Sequence, residues 1–114
     1  MNQCLLVFIG AGLGGVLRYL IAHGLNLLTG HHFPFGTILV NVTGCFLAGF
    51  LSICILPGDV ELKALILIGF LGGYTTFSSF SYETWQLLEK RQLLAALLNV
   101  VLSVMLCMVA VVLG

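Results

Sequence analysis

Charge is what this sequence has least of. Only 7% of its 114 residues are Asp, Glu, Lys or Arg, against about 25% in a soluble domain, so a water-facing globule is excluded. The few charges cancel, four basic against four acidic, which leaves no basic footprint for nucleic acid. Proline occurs twice, and Pro34 and Pro57 both lie between apolar stretches. The cysteines Cys4, Cys45, Cys54 and Cys107 form no Cys-x-x-Cys pair and stand near no His cluster. They read as small buried hydrophobes, not as a disulfide framework or a metal centre. No Ser/His/Asp set, paired carboxylates or phosphate-cradling glycine loop occurs, so no case for an enzyme arises. The opening Met-Asn-Gln-Cys has no basic n-region and no small-residue cleavage pattern follows, so the first apolar segment is expected to be retained.

What remains is 61% hydrophobic. Four apolar windows, 4–28, 36–56, 64–82 and 93–113, each approach the ~20 residues that cross a hydrocarbon core. The polar breaks between them are short: 29–35 with Pro34, 57–63 with Asp59 and Glu61, and 83–92, which opens on Glu83 and carries Glu89, Lys90 and Arg91. The expected fold is an all-α membrane protein, one four-helix transmembrane domain over 1–114, multi-pass in a cell (inner or plasma) membrane. The terminal amine and Lys63 fall on one side; Lys90, Arg91 and, from the end of the first span, Arg18 fall on the other. So even a balance gives the positive-inside rule little to act on, and it favours insertion both ways up.

The third window is unlike a plain lipid-facing helix. Gly72-Gly73 followed by Thr75-Thr76 is a poor helical sequence, because paired glycines raise the entropy cost and hydroxyls compete for backbone groups. A break is expected there, and irregular backbone at membrane depth persists only against protein or a wet cavity. Broken helices of this kind mark ion or substrate sites in transporters. Small-residue pairs at four-residue spacing, Gly10/Gly14 and Ala11/Gly15 in the first span and Gly44/Ala48 and Cys45/Gly49 in the second, let backbones approach closely. Spacing alone leaves open whether the neighbour is in the same chain.

Arg18 follows the small face of the first span, so it is expected to point into protein. It has two readings: an attractive mouth for anions, or a snorkelling or ion-paired structural cation. Asn41 offers two amide donors and an acceptor; read by itself it is an interhelical hydrogen-bond partner. Phe77, Phe80, Ser81 and Thr84 share one helix face, and Ser78, Ser81, Tyr82 and Trp85 a neighbouring one. Phe rings at this spacing commonly pack, yet a ring edge is electropositive and faces an anion without binding it tightly. Hydroxyls beside the rings would complete an anion route. Glu83 fits that route poorly; an interfacial cap and a protonation-responsive group both stand. His31-His32 reads as a solvated turn, and His23, Tyr82 and Trp85 as residues of the membrane interface.

Three stretches together resemble the Fluc (CrcB) fluoride ion channels of microbes: Gly10-Ala11-Gly12-Leu13-Gly14-Gly15-Val16-Leu17-Arg18-Tyr19, Pro34-Phe35-Gly36-Thr37-Ile38-Leu39-Val40-Asn41-Val42-Thr43-Gly44, and Gly72-Gly73-Tyr74-Thr75-Thr76-Phe77-Ser78-Ser79-Phe80. The departures are mild: Ala11 and Gly15 exchange the usual Gly and Ala, and Ser79 replaces a frequent Thr. The resemblance implies a passive, fluoride-selective channel that exports cytoplasmic fluoride and confers fluoride resistance. It implies an antiparallel, dual-topology homodimer with two pores. Phe77 and Phe80 would present ring edges to fluoride and Asn41 an amide hydrogen. Thr76, Ser78, Ser81 and Glu83 would form a polar track, and Arg18 the vestibule. The backbone carbonyls of Gly72 and Thr75, from both subunits, would hold one structural sodium ion. Two other classes share the size. A small dual-topology drug exporter needs an acid in its first span, where this chain has Arg18; a structural membrane subunit would use its polar residues only for packing.

Overall fold

The computed structural model describes residues 2–55 and 57–114; Met1, and Leu56 at the expected end of the second window, lie outside them. Four helices are long and apolar enough to cross a membrane: α1 (Gln3–Thr29), α2 (Phe35–Cys54), α3 (Val60–Glu89) and α4 (Leu93–Leu113). Among the described residues there is no strand. The long axis of 48 Å matches a bilayer with its headgroup regions, about 40–45 Å. Exposed Leu27, Ile53, Leu97 and Val112 face outward, as they must where the solvent is lipid. The chain is a multi-pass membrane protein.

Local chemistry sets the helix ends. The Asn2 side chain accepts from the Cys4 amide and Asp59 from the Leu62 amide, capping α1 and α3. The cap at Asp59 starts α3 before the apolar window does, and α3 then runs on past the window to Glu89. Glu83 therefore sits within the helix and not in the third loop. The α3 C-terminus closes as a Schellman motif: the Gln92 amide bonds the Leu87 carbonyl and the Arg91 amide that of Leu88, with Arg91 left-handed at φ 57°.

α3 is broken where the glycine and threonine pairs lie. Lys63–Leu71 is wound as a wide π-helix and Gly72–Tyr74 as a last α turn. Thr75 (ψ 157°) and Thr76 (φ −153°, ψ 117°) are extended, and Phe77–Glu89 begins afresh with Thr76 as its N-cap.

The break lets α3 change partners. Its first half packs on α1, its second half on α4, and α2 lies along α4. The small residues make this contact tight. A methyl on Gly14 would meet the backbone of Phe70 and Tyr74, one on Gly10 that of Leu65 and Phe70, and one on Gly49 that of Val111. These small faces thus serve packing within the chain.

Candidate functional site at the helix break

Unwinding a helix in lipid frees backbone groups that have no water to bond, at a cost of several kcal/mol each. The Thr76 amide would serve the Gly72 carbonyl in a continuous helix. Instead it donates to Asn41 Oδ1 at 2.7 Å, and Asn41 Nδ2 donates back to the Thr76 carbonyl at 3.0 Å. The Thr75 hydroxyl turns to the Leu71 carbonyl, and the hydroxyls of Thr43 and Tyr74 meet at 2.9 Å. Gly44 leaves the space that the Thr75 side chain fills. One face of α2, through Asn41, Thr43 and Gly44, thereby shapes the break.

Two grooves meet at Thr76. The first, about 270 Å³, is mostly apolar and is lined by Asn41, Thr75, Thr76, Phe77, Phe80 and Ser103, with Cys45 and Cys107 completing its wall. The rings of Phe77 and Phe80 are 5.4 Å apart and tilted by 48°, and Phe77 is 77% exposed on the single chain. The second groove, about 470 Å³, is more polar than the first and is lined by Arg18, Thr37, Thr76, Ser78, Ser79 and Glu83, among others. Arg18 is half-buried, its Nη2 lies near Gly15, and it forms no ion pair among the described residues. Glu83 Oε1 accepts from the Thr37 hydroxyl at 2.8 Å, while buried Glu83 Oε2 and Asn26 Oδ1 have no partner.

The break thus brings Asn41, Thr76, Phe77 and Phe80 together on one side, and Arg18, Thr76, Ser78 and Glu83 on the other. Ser81 lines neither groove; it is exposed and bonds back to the Phe77 carbonyl at 2.9 Å. Gly72 and Thr75 flank the unwound turn, and the Gly72 carbonyl has lost its helical donor to Asn41. Among the described residues no cluster of three or more His, Cys, Asp or Glu could hold a metal.

Thr37, Asn99 and Ser103 escaped the sequence reading. Thr37 precedes Asn41 by one helical turn, a signal visible in hindsight of the spacing. Asn99 is 1% exposed; its Nδ2 donates to Thr84 Oγ1 at 2.9 Å and its Oδ1 accepts from the Ser103 hydroxyl at 3.3 Å. Two polar residues one turn apart in an otherwise apolar span were the available clue.

The sequence has clear relatives. The family model "CrcB-like protein, Camphor Resistance (CrcB)" matches residues 5–114. A protein of Coxiella burnetii (strain Dugway 5J108-111) named fluoride-specific ion channel FluC is 53% identical over 114 residues, covering 96% of this chain and 92% of the relative. One of the same name from Shewanella baltica (strain OS185) is 50% identical, covering 100% and 94%. Another from Geobacter sulfurreducens is 46% identical, covering 96% and 90%. With a model matching nearly its whole length and relatives at this identity, the chain belongs to the CrcB family.

Proposed function

We propose that this chain is a passive, fluoride-selective channel that works as an antiparallel homodimer with two pores. The observation that carries the reading is the clasp of Asn41 on Thr76 beside the Phe77 and Phe80 rings. Holding the break uses one of the two Nδ2 hydrogens; the other remains to donate toward the groove. A neutral N–H and the positive edges of rings offset part of an anion's lost hydration without a full charge to trap it. Thr76 and Ser78 continue this route, Ser81 would join it on turning its hydroxyl away from the Phe77 carbonyl, Arg18 attracts anions at its mouth, and Glu83 stands on the polar track.

The homodimer is supported by what one copy leaves uncovered. Phe77, Ser78 and Ser81 are exposed in a membrane span, and polar side chains there are costly against lipid. A second copy, inserted the other way up as the balanced loop charges allow, would cover them. The carbonyls of Gly72 and Thr75 from both copies would then suit a sodium ion, a hard cation that prefers oxygen ligands. Bound there, sodium would tie the two breaks together by charge.

A fluoride leak needs no energy source. The weak acid enters neutral and ionises inside, and a negative interior drives the anion out. The names of the relatives point to the same ion. Expression in a fluoride-sensitive bacterium tests the reading: growth in millimolar-range fluoride should return with this chain and stay absent with Asn41→Asp. A folded, inserted chain that restores no growth would favour a structural subunit.

A further inference from the structure

Cys45 and Cys107 come from different helices and serve no role in the route above. Both line the groove that holds Phe77 and Phe80. The register explains why. Gly49 packs against Val111, Asn41 and Ser103 share the groove, and Cys45 and Cys107 occupy the turn between these pairs. Helices α2 and α4 run parallel there, and the absent side chain at Gly49 brings their backbones close. The remaining thiols, on Cys4 and Cys54, are exposed on the outer surface and unpaired.

We propose that Cys45 and Cys107 form a two-coordinate site for a soft d¹⁰ cation of the mercury(II) type, and that its occupation blocks the groove. Thiolate is the ligand that such soft ions select, and two thiols, one from each of two closely packed helices, meet their low coordination number. Binding of the dichloride breaks both S–H bonds and both metal–chloride bonds, forms two metal–sulfur bonds and releases two protons and two chloride ions to water, with no change of oxidation state. Two thiolates cancel the charge of a divalent ion, so the product is neutral and suits an apolar wall. Hard cations gain nothing there, because the site offers no oxygen cage. Neutral mercuric chloride can reach it through the lipid. The binding claim stands on the two sulfurs alone; the blocking claim rests on the channel reading.

The test uses the full chain carrying Cys4→Ala and Cys54→Ala, treated with mercuric chloride. Both remaining thiols should disappear with one mercury bound per chain. That mercury should resist a monothiol competitor about a hundredfold better than in chains that also carry Cys45→Ala or Cys107→Ala, because two-point attachment raises the effective concentration. Two mercury ions per chain, or equal resistance in the single-thiol chains, overturns the site. In liposomes, fluoride release should fall at least about tenfold on treatment and return with a dithiol chelator. Undiminished release from mercury-loaded chains overturns the block. If untreated chains release no fluoride, the channel reading fails while the binding result still decides the site.

Discussion

Asn41 and Thr76 hold each other twice, amide to carbonyl at 3.0 Å and backbone amide to side-chain oxygen at 2.7 Å. A side chain of α2 thus supplies what the helix ladder of α3 gives up. Asn41→Ala should lower stability by about 1–3 kcal/mol, the sum of two interhelical hydrogen bonds in a membrane. Asn41→Asp keeps the acceptor for the Thr76 amide but replaces the donor by an anion. It should unfold less readily than Asn41→Ala in mixed micelles yet pass fluoride no better. Equal stability of Asn41→Ala and the parent would show that the clasp contributes little.

Phe77 is largely exposed on the single chain whereas Phe80 is half-buried. Phe77→Ile exchanges one large apolar side chain for another and should cost the assembled protein less than about 1.5 kcal/mol, while both Phe77→Ile and Phe80→Ile should cut fluoride release. Release unchanged in both would remove the rings from the route. Parallel unfolding and flux records on the same preparations separate the two effects.

The glycines divide by contact. Gly14→Ala forces a methyl into the Phe70 and Tyr74 backbone and should cost about 1–3 kcal/mol or more, since backbone yields less than a side chain. Nothing lies within 4 Å of a methyl added at Gly12, so Gly12→Ala should gain about 0.5–1 kcal/mol from helix propensity. The same order in thermal unfolding of the two variants would support the α1–α3 contact; a reversed order would refute it.

Much of this was legible because the signals were local. Four apolar windows reported four spans, and Gly72-Gly73 with Thr75-Thr76 reported the break. Glu83 misled, since a carboxylate at the end of an apolar window resembles the start of a loop. Its long-range partner Thr37 is 46 positions away and cannot be read from either neighbourhood. Asn99 was silent for the same reason, its partner Thr84 lying on another helix. The small-residue pairs announced close packing but not the neighbour, which the register of α1 on α3 supplies.

Arg91 adopts φ 57° in the turn between α3 and α4, where a side chain costs about 1–2 kcal/mol and glycine costs little. Arg91→Gly should therefore raise the unfolding temperature. It also removes a cation from a nearly balanced set, so the fraction of chains inserted each way should shift as accessibility labelling of the loops would record. A lower unfolding temperature would contradict the left-handed turn.

The central claim is tested most directly by anion release from liposomes carrying the purified chain. Internal fluoride or chloride would be followed by ion-selective electrodes, with potassium and valinomycin carrying the counter-charge. Rapid fluoride release that requires valinomycin, with chloride retained, is the expected result. Retention of both anions by demonstrably folded protein, or equal loss of both, would contradict a fluoride-selective channel.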